Sequence, residues 1–140
     1  MARSISRSTS TSCVAVIVDS SVWIAYLTGR ILPEVERATT RAEVVMPPLV
    51  VAEVLSGDLD SFARAAFGEL LQDYPLHATP LGHWIAVGEL RRTLRRRGIN
   101  ITIPDAHVAQ CALDLDAVLL SGDQIFAHVA AHTRLRLAAP

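Results

Sequence analysis

The sequence predicts an α/β protein, a three-layer α/β/α sandwich around a mostly parallel central sheet. Three observations carry that prediction. Short apolar runs at 14–18, 118–120 and 135–137 read as buried strands. Between them lie segments of helical length whose apolar residues recur at three- and four-residue spacing. Glycine and proline, seven of each, fall mostly at the joints. Strands alternating with helices are the signature of a parallel sheet covered on both faces.

The elements follow in order. After the strand at 14–18, Ser20 or Ser21 can cap a helix over 22–27, which Thr28-Gly29 stops. Pro33 opens a second helix to about Thr40, and 44–46 reads as a short strand. Pro47-Pro48 starts a helix over 49–55, closed by Ser56-Gly57. Asp58 or Asp60 caps a longer helix to Gln72, with Ala63, Ala66, Phe67, Leu70 and Leu71 at helical spacing. A weak strand signal covers 75–79. The next helix, 82–97, places Trp84, Val87, Leu90 and Leu94 on its apolar stripe and ends at Gly98. Pro104 opens a helix to Leu115, with Val108, Cys111, Ala112 and Leu115 on the buried side. A strand at 118–120, a helix at 124–131 and a final strand at 135–137 complete the chain.

The chain has 140 residues, which suits one domain, expected at 14–140 behind a flexible Ser/Thr-rich tail at 1–13. Half of it is hydrophobic (51%), enough for a real core. The net charge of −1 does not announce a nucleic-acid partner, but the distribution is uneven. There is no lysine; all 13 basic residues are arginine, and five of them crowd into residues 91–97. Cys13 and Cys111 form no metal-binding or redox spacing, which suits a reducing, cytoplasmic home. No apolar stretch approaches the roughly 18 residues of a membrane span.

Four acids stand at punctuation points of this pattern. Asp19 ends Val16-Ile17-Val18, and Asp123 follows Val118-Leu119-Leu120 across Ser121-Gly122. Residues just past the carboxyl ends of parallel strands converge in one crevice. Glu53 and Asp105 lie in segments that open helices, within reach of the same rim. Each acid also has an ordinary structural reading. Asp19 and Asp123 sit in turn-like contexts. Asp105 follows Pro104 at a helix start, where a carboxylate gains from the helix dipole. Glu53 is the sole ionisable residue of 48–55, so it needs water or a cation unless it marks an exposed edge of that helix. Taken jointly, four carboxylates on one rim repel unless a cation holds them, and such hard oxygen ligands suit Mg²⁺ or Mn²⁺.

The joint pattern resembles the PIN domain, and within it the VapC-type ribonuclease toxins of toxin–antitoxin pairs. Val16-Ile17-Val18-Asp19-Ser20-Ser21-Val22-Trp23-Ile24 is similar to the family's opening strand and first acid. Val50-Val51-Ala52-Glu53-Val54-Leu55-Ser56-Gly57 resembles the segment of the second, Ile103-Pro104-Asp105-Ala106-His107-Val108-Ala109 that of the third, and Leu119-Leu120-Ser121-Gly122-Asp123-Gln124-Ile125-Phe126 that of the fourth. Many relatives place a further acid or a histidine two residues past the fourth aspartate, where this chain has Ile125. His107 likewise stands where the family is usually apolar.

The resemblance implies a metal-dependent endoribonuclease. Asp19, Glu53, Asp105 and Asp123 would form the catalytic and metal-binding set for Mg²⁺ or Mn²⁺, and Ser20 and Ser121 would supply hydrogen bonds that orient carboxylates. It also implies a VapB-like antitoxin as partner and a homodimer. Trp23, Tyr26, Phe62 and Phe67, on short helices, either line a groove for such partners or pack in the core. Arg91, Arg92, Arg95 and Arg96 stack at i, i+4 on one helix face, where they either guide RNA or form an ordinary solvated face. His107, Gln110 and Asp114 share a polar helix face; His128 and His132 read as surface residues; His77 and His83 carry no signal. A receiver domain, a haloacid-dehalogenase-type phosphatase and a P-loop NTPase are excluded, because the paired acids and lysine, the DxD spacing and the Gly-rich loop they need are missing. The alternative of a different class is a catalytically inactive PIN-like module that binds RNA or protein, an idea that Ile125 motivates.

Overall fold

The structure is a computed structural model and describes residues 14–140; the expected tail and Cys13 lie outside the described residues. β1 (Val16–Val18), β2 (Val118–Leu120) and β3 (Arg136–Ala138) form a parallel sheet in the order β1-β2-β3. Val16 pairs with Val118 and Val118 with Arg136, so the carboxyl ends of β1 and β2 finish level at Val18 and Leu120. β1 is fully buried, as a continuous Val/Ile run in a covered parallel sheet should be.

Two expected strands shrink to single parallel bridges, Val16 to Val44 and Met46 to Leu76. Proline is the reason. Pro47 follows Met46 and Pro75 precedes Leu76, and neither has the N–H that a longer ladder would require. These bridges still extend the sheet edge beyond β1, through Val16 N–H to Glu43 O and His77 N–H to Met46 O.

Among the described residues, seven helices surround the sheet: α1 (Ser20–Leu27), α2 (Pro33–Thr40), α3 (Pro48–Ser56), α4 (Ser61–Asp73), α5 (Leu81–Arg95), α6 (Ile103–Leu115) and α7 (Gln124–His132). Proline occupies the first turn of α2, α3 and α6, where its fixed φ and missing N–H do no harm. α6 is the central helix and packs on β1, β2, α3, α5 and α7. Ala106, Ala109 and Ala112 are buried on it, small enough for close approach. Trp23 of α1 and Phe67 of α4 meet edge to face at 5.9 Å in the core, so these two residues pack the interior rather than line a groove. Phe62, by contrast, is 83% exposed.

Several expectations are corrected. Asp19 itself, not Ser20 or Ser21, caps α1, because its carboxylate accepts the Ser20 N–H. The buried stripe of α5 is His83, Val87, Leu90 and Leu94, and Trp84 lies beside it, partly in solvent. Leu115 is exposed rather than buried. His107, placed on a polar face from sequence, is completely buried.

Candidate active site at the carboxyl edge of the sheet

The strand ends carry the first part of the site. Asp19 N–H donates to Leu120 O at 3.1 Å, fixing the two carboxyl ends side by side. Asp19 is buried, and both of its oxygens accept hydrogen bonds. Oδ1 accepts the Ser20 N–H at 2.8 Å, while Oδ2 accepts the hydroxyls of Ser121 (3.0 Å) and Ser21 (3.3 Å). Ser121 Oγ also accepts the Asp123 N–H at 3.1 Å, so one buried hydroxyl ties the first acid to the fourth. Ser121 donates its hydroxyl to the Asp19 carboxylate. Ser20 acts through its backbone, and Ser21, which sequence reasoning passed over, supplies the hydroxyl.

Asp123 caps α7 through Oδ1, which accepts the Ile125 N–H at 3.0 Å. Asp105 is free of capping duty, because Thr102 caps α6 by accepting the Asp105 N–H. Three of the four acids therefore sit at or within one turn of a helix N-terminus, where the backbone dipole favours negative charge. This placement offsets part of their mutual repulsion. Glu53 arrives differently, from the middle of α3, with its side chain toward solvent.

The acids are linked pairwise by their charges, Glu53 with Asp19 and Asp105, and Asp105 with Asp19 and Asp123. Partial desolvation, then the charges of Asp19 and Asp105, raises the Glu53 carboxyl above its ordinary value. Desolvation likewise raises Asp105, with Asp19 and Asp123 adding to the rise and the Thr102 hydroxyl opposing it. A cation among these carboxylates would relieve their mutual repulsion, and an all-oxygen donor set suits a hard divalent cation.

The arginine run is only partly free. Arg91 Nε donates to Ile101 O at 2.9 Å and clamps the turn just before the α6 cap, and Arg92 meets Glu89 at 3.7 Å. Arg95 and Arg96 are exposed and make no ion pair among the described residues. Arg95 ends α5 and Arg96 is its C-cap, at the start of the segment that runs to Thr102, three residues before Asp105.

A second polar cluster lies further along α6, joining His107, Gln110 and Asp114 to His77 and His83. His83 Nδ1 lies 2.6 Å from Asp114 Oδ2, and His83 Nε2 lies 2.8 Å from His107 Nδ1. Leu49 N–H donates to His107 Nε2 over a long 3.5 Å. One neutral tautomer pattern satisfies the whole chain: His107 Nδ1–H donates to His83, and His83 Nδ1–H donates to Asp114. Trp84 stacks on His107, with planes 7° apart. Burial, then His83 and His77, pushes His107 down to about 4. Burial would raise Asp114, but hydrogen bonds from Gln110, His83 and His77 hold it below its ordinary value. The missed signal was periodic. His83, Val87, Leu90 and Leu94 follow i, i+4, i+7, i+11, a better helical stripe than one starting at Trp84.

Comparison with known proteins agrees with the fold. The sequence matches the PIN domain family over residues 16–132, and the chain belongs to that family. Among solved structures it is similar to DNA-bound VapBC from Salmonella typhimurium, at a TM-score of 0.74 and 16% identity, over 90% of this chain and 98% of that one. VapBC2 from Rickettsia felis, bound to a fragment of its promoter, gives 0.73 and 16%, over 89% and 98%. FitAcB from Neisseria gonorrhoeae gives 0.61 and 14%, over 87% and 95%. At these identities the likeness is one of fold. No helix among the described residues is long and apolar enough to cross a membrane.

Proposed function

We propose that this chain is a metal-dependent endoribonuclease acting as the toxin of a toxin–antitoxin pair. The observation that carries the reading is the gathering of Asp19, Glu53, Asp105 and Asp123 at the carboxyl edge of a PIN-family sheet, close enough for their charges to raise Glu53 and Asp105. Asp19, Asp105 and Asp123, with Glu53, would hold Mg²⁺ or Mn²⁺. When bound, such a cation supplies Lewis-acid polarisation of a scissile phosphate and a more acidic water.

The chain's own groups do the rest. Ser121 and Ser21 hold Asp19 in one orientation, so its carboxylate needs no reorganisation when charge develops. Asp123 spends Oδ1 on the α7 cap and keeps Oδ2 for the site. Glu53, exposed and raised, would complete the site or orient the attacking water. Attack on phosphorus with departure of the 3′-oxygen leaves a 5′-phosphate and a 3′-hydroxyl. Arg95 and Arg96 would bind the RNA backbone, since a planar guanidinium donates two hydrogen bonds to phosphate.

The partner expected is a VapB-like antitoxin, and a homodimer is expected as well. Exposed apolar side chains support both. Ile31 and Phe62 are 92% and 83% exposed, and Leu81, Trp84 and Ile85 form an i, i+3, i+4 apolar strip on α5. The decisive experiment is cleavage of total RNA by antitoxin-free protein with Mg²⁺ or Mn²⁺ against EDTA, beside Asp105→Asn. Cutting that requires both metal and Asp105 is the expected result. RNA binding without cutting under any condition would favour the inactive binding module.

A further inference from the structure

We infer that His77, His83 and Cys111 form a second metal site, distinct from the carboxylate rim and selective for a borderline divalent ion such as Zn²⁺. One ligand atom from each of the three lies within 4.8 Å of the others. Tetrahedral zinc with bonds of about 2.0–2.3 Å places its ligands about 3.3–3.8 Å apart. Closing on an ion draws these atoms together by no more than about 1.5 Å and takes one His83 nitrogen out of its hydrogen bond to Asp114 or to His107. Asp114 Oδ2, at 3.2 Å from His77 Nε2 and 2.6 Å from His83 Nδ1, stands outside this trio and orients the two histidines by hydrogen bonds.

The surroundings suit this use. His83 and Cys111 are buried, which favours a desolvated, strongly held ion. The His77 side chain is 10% exposed and that of Asp114 27%, so an ion has a route in from solvent. Gln110 Nε2 donates to Asp114 Oδ1 at 2.8 Å, which steadies that carboxylate while Oδ2 faces the histidines. The nitrogen and sulfur donors select against Mg²⁺, and the oxygen rim favours it, so the two sites sort ions by ligand chemistry. His77 lies on the segment joined to the sheet by the Met46–Leu76 bridge, with Cys111 and Asp114 on α6 and His83 on α5. A bound ion would tie these three parts together. Cys111 enters as thiolate and the histidines as neutral imidazoles, so binding releases the thiol proton to solvent, one per ion.

The test uses full-length protein carrying Cys13→Ser, so that Cys111 is the sole thiol, titrated with Co²⁺ and with Zn²⁺ alone. One equivalent of Co²⁺ should give tetrahedral visible bands and a thiolate-to-cobalt charge-transfer band in the near ultraviolet. Zn²⁺ should displace it and raise the melting temperature. Cys111→Ala should abolish the charge-transfer band. His77→Gln, at a partly exposed position, should weaken Zn²⁺ binding by at least about 100-fold with unchanged circular dichroism. An Asp19→Asn/Asp105→Asn variant should retain the band, which separates this site from the nuclease reading whether or not that reading stands. Absence of the band in the parent protein would overturn the inference. So would cobalt binding that survives Cys111→Ala and His77→Gln but is lost with Asp19 and Asp105.

Discussion

Asp105 and His107 stand two residues apart on α6 and serve centres built in opposite ways. The rim around Asp105 is an open set of like charges, set mostly at helix N-termini, with two of its carboxyls raised by desolvation and by each other. The cluster around His107 is a closed chain of complementary donors and acceptors, Leu49 to His107 to His83 to Asp114, with both imidazoles buried. A set of unneutralised like charges works against folding and is retained for what it binds. A satisfied buried network holds its helices in register, and leaving one member unpaired is costly. The rim should therefore matter to chemistry and little to stability, and the cluster the reverse.

The largest effect that can break this contrast is on catalysis. Asp19→Asn keeps the capping geometry of α1, because asparagine caps as well as aspartate. It removes charge where a cation would be held, and Lewis-acid stabilisation is worth several kcal/mol. RNA cleavage should fall by at least about 10³-fold, with a melting temperature close to the parent value. A variant that cuts normally, or one that unfolds, would remove the distinction between the centres.

Next in size is a pair of stability measurements. His83→Ala strands His107 Nδ1–H and removes the shorter of the two histidine bonds to Asp114 Oδ2, so it should cost about 1–3 kcal/mol in a denaturant melt while leaving the rim intact. Asp105→Asn removes one charge from a repelling group and should leave stability unchanged or raised in the absence of divalent metal. Equal losses from the two substitutions would contradict the comparison.

The pH response sharpens it further, because the centres carry opposite signs. His107 is held neutral in the fold, lowered from 6.5 to about 4. As pH falls through that window the unfolded chain binds the proton first, so stability drops. Glu53 and Asp105 are raised in the fold, so their contribution is most favourable below their unfolded values and is lost as pH rises through their folded ones. Melting temperatures between pH 6.5 and 4 should fall less in His107→Gln than in the parent. Mg²⁺ should raise the melting temperature near neutral pH, and lose that effect in Asp105→Asn.

The two centres also differed in how far the sequence revealed them. Asp19, Asp105 and Asp123 were legible because strand-then-acid and proline-then-acid are local patterns, read within a few residues. Thr102 as the true α6 cap, and Ser21 as the hydroxyl on Asp19, were not, since several neighbours compete for each cap and atomic contact decides. The histidine cluster is held by partners 24 to 58 residues apart, so local periodicity marks His83 as buried but does not name its partners. The minor strands at 44–46 and 75–79 were right in place but reduced to bridges, because flanking prolines limit the ladder more than β-propensity extends it.

The smallest effect concerns the surface between the centres and the substrate. Arg91 is committed to the Ile101 carbonyl and Arg92 to Glu89, so their loss would report on the α5–α6 turn as much as on RNA. Arg95 and Arg96 carry no such duty among the described residues, which makes Arg95→Ala/Arg96→Ala the cleaner probe. Each phosphate contact to a single strand contributes about 0.7 to the slope of log K against log salt. If both arginines touch the backbone, the double variant should reduce the slope by about 1.4 and weaken binding several-fold at moderate salt, with kcat unchanged at saturating RNA. An unchanged slope would assign the pair to an ordinary solvated helix end, where cations are favoured by the dipole alone. RNA guidance would then have to come from another face of the molecule.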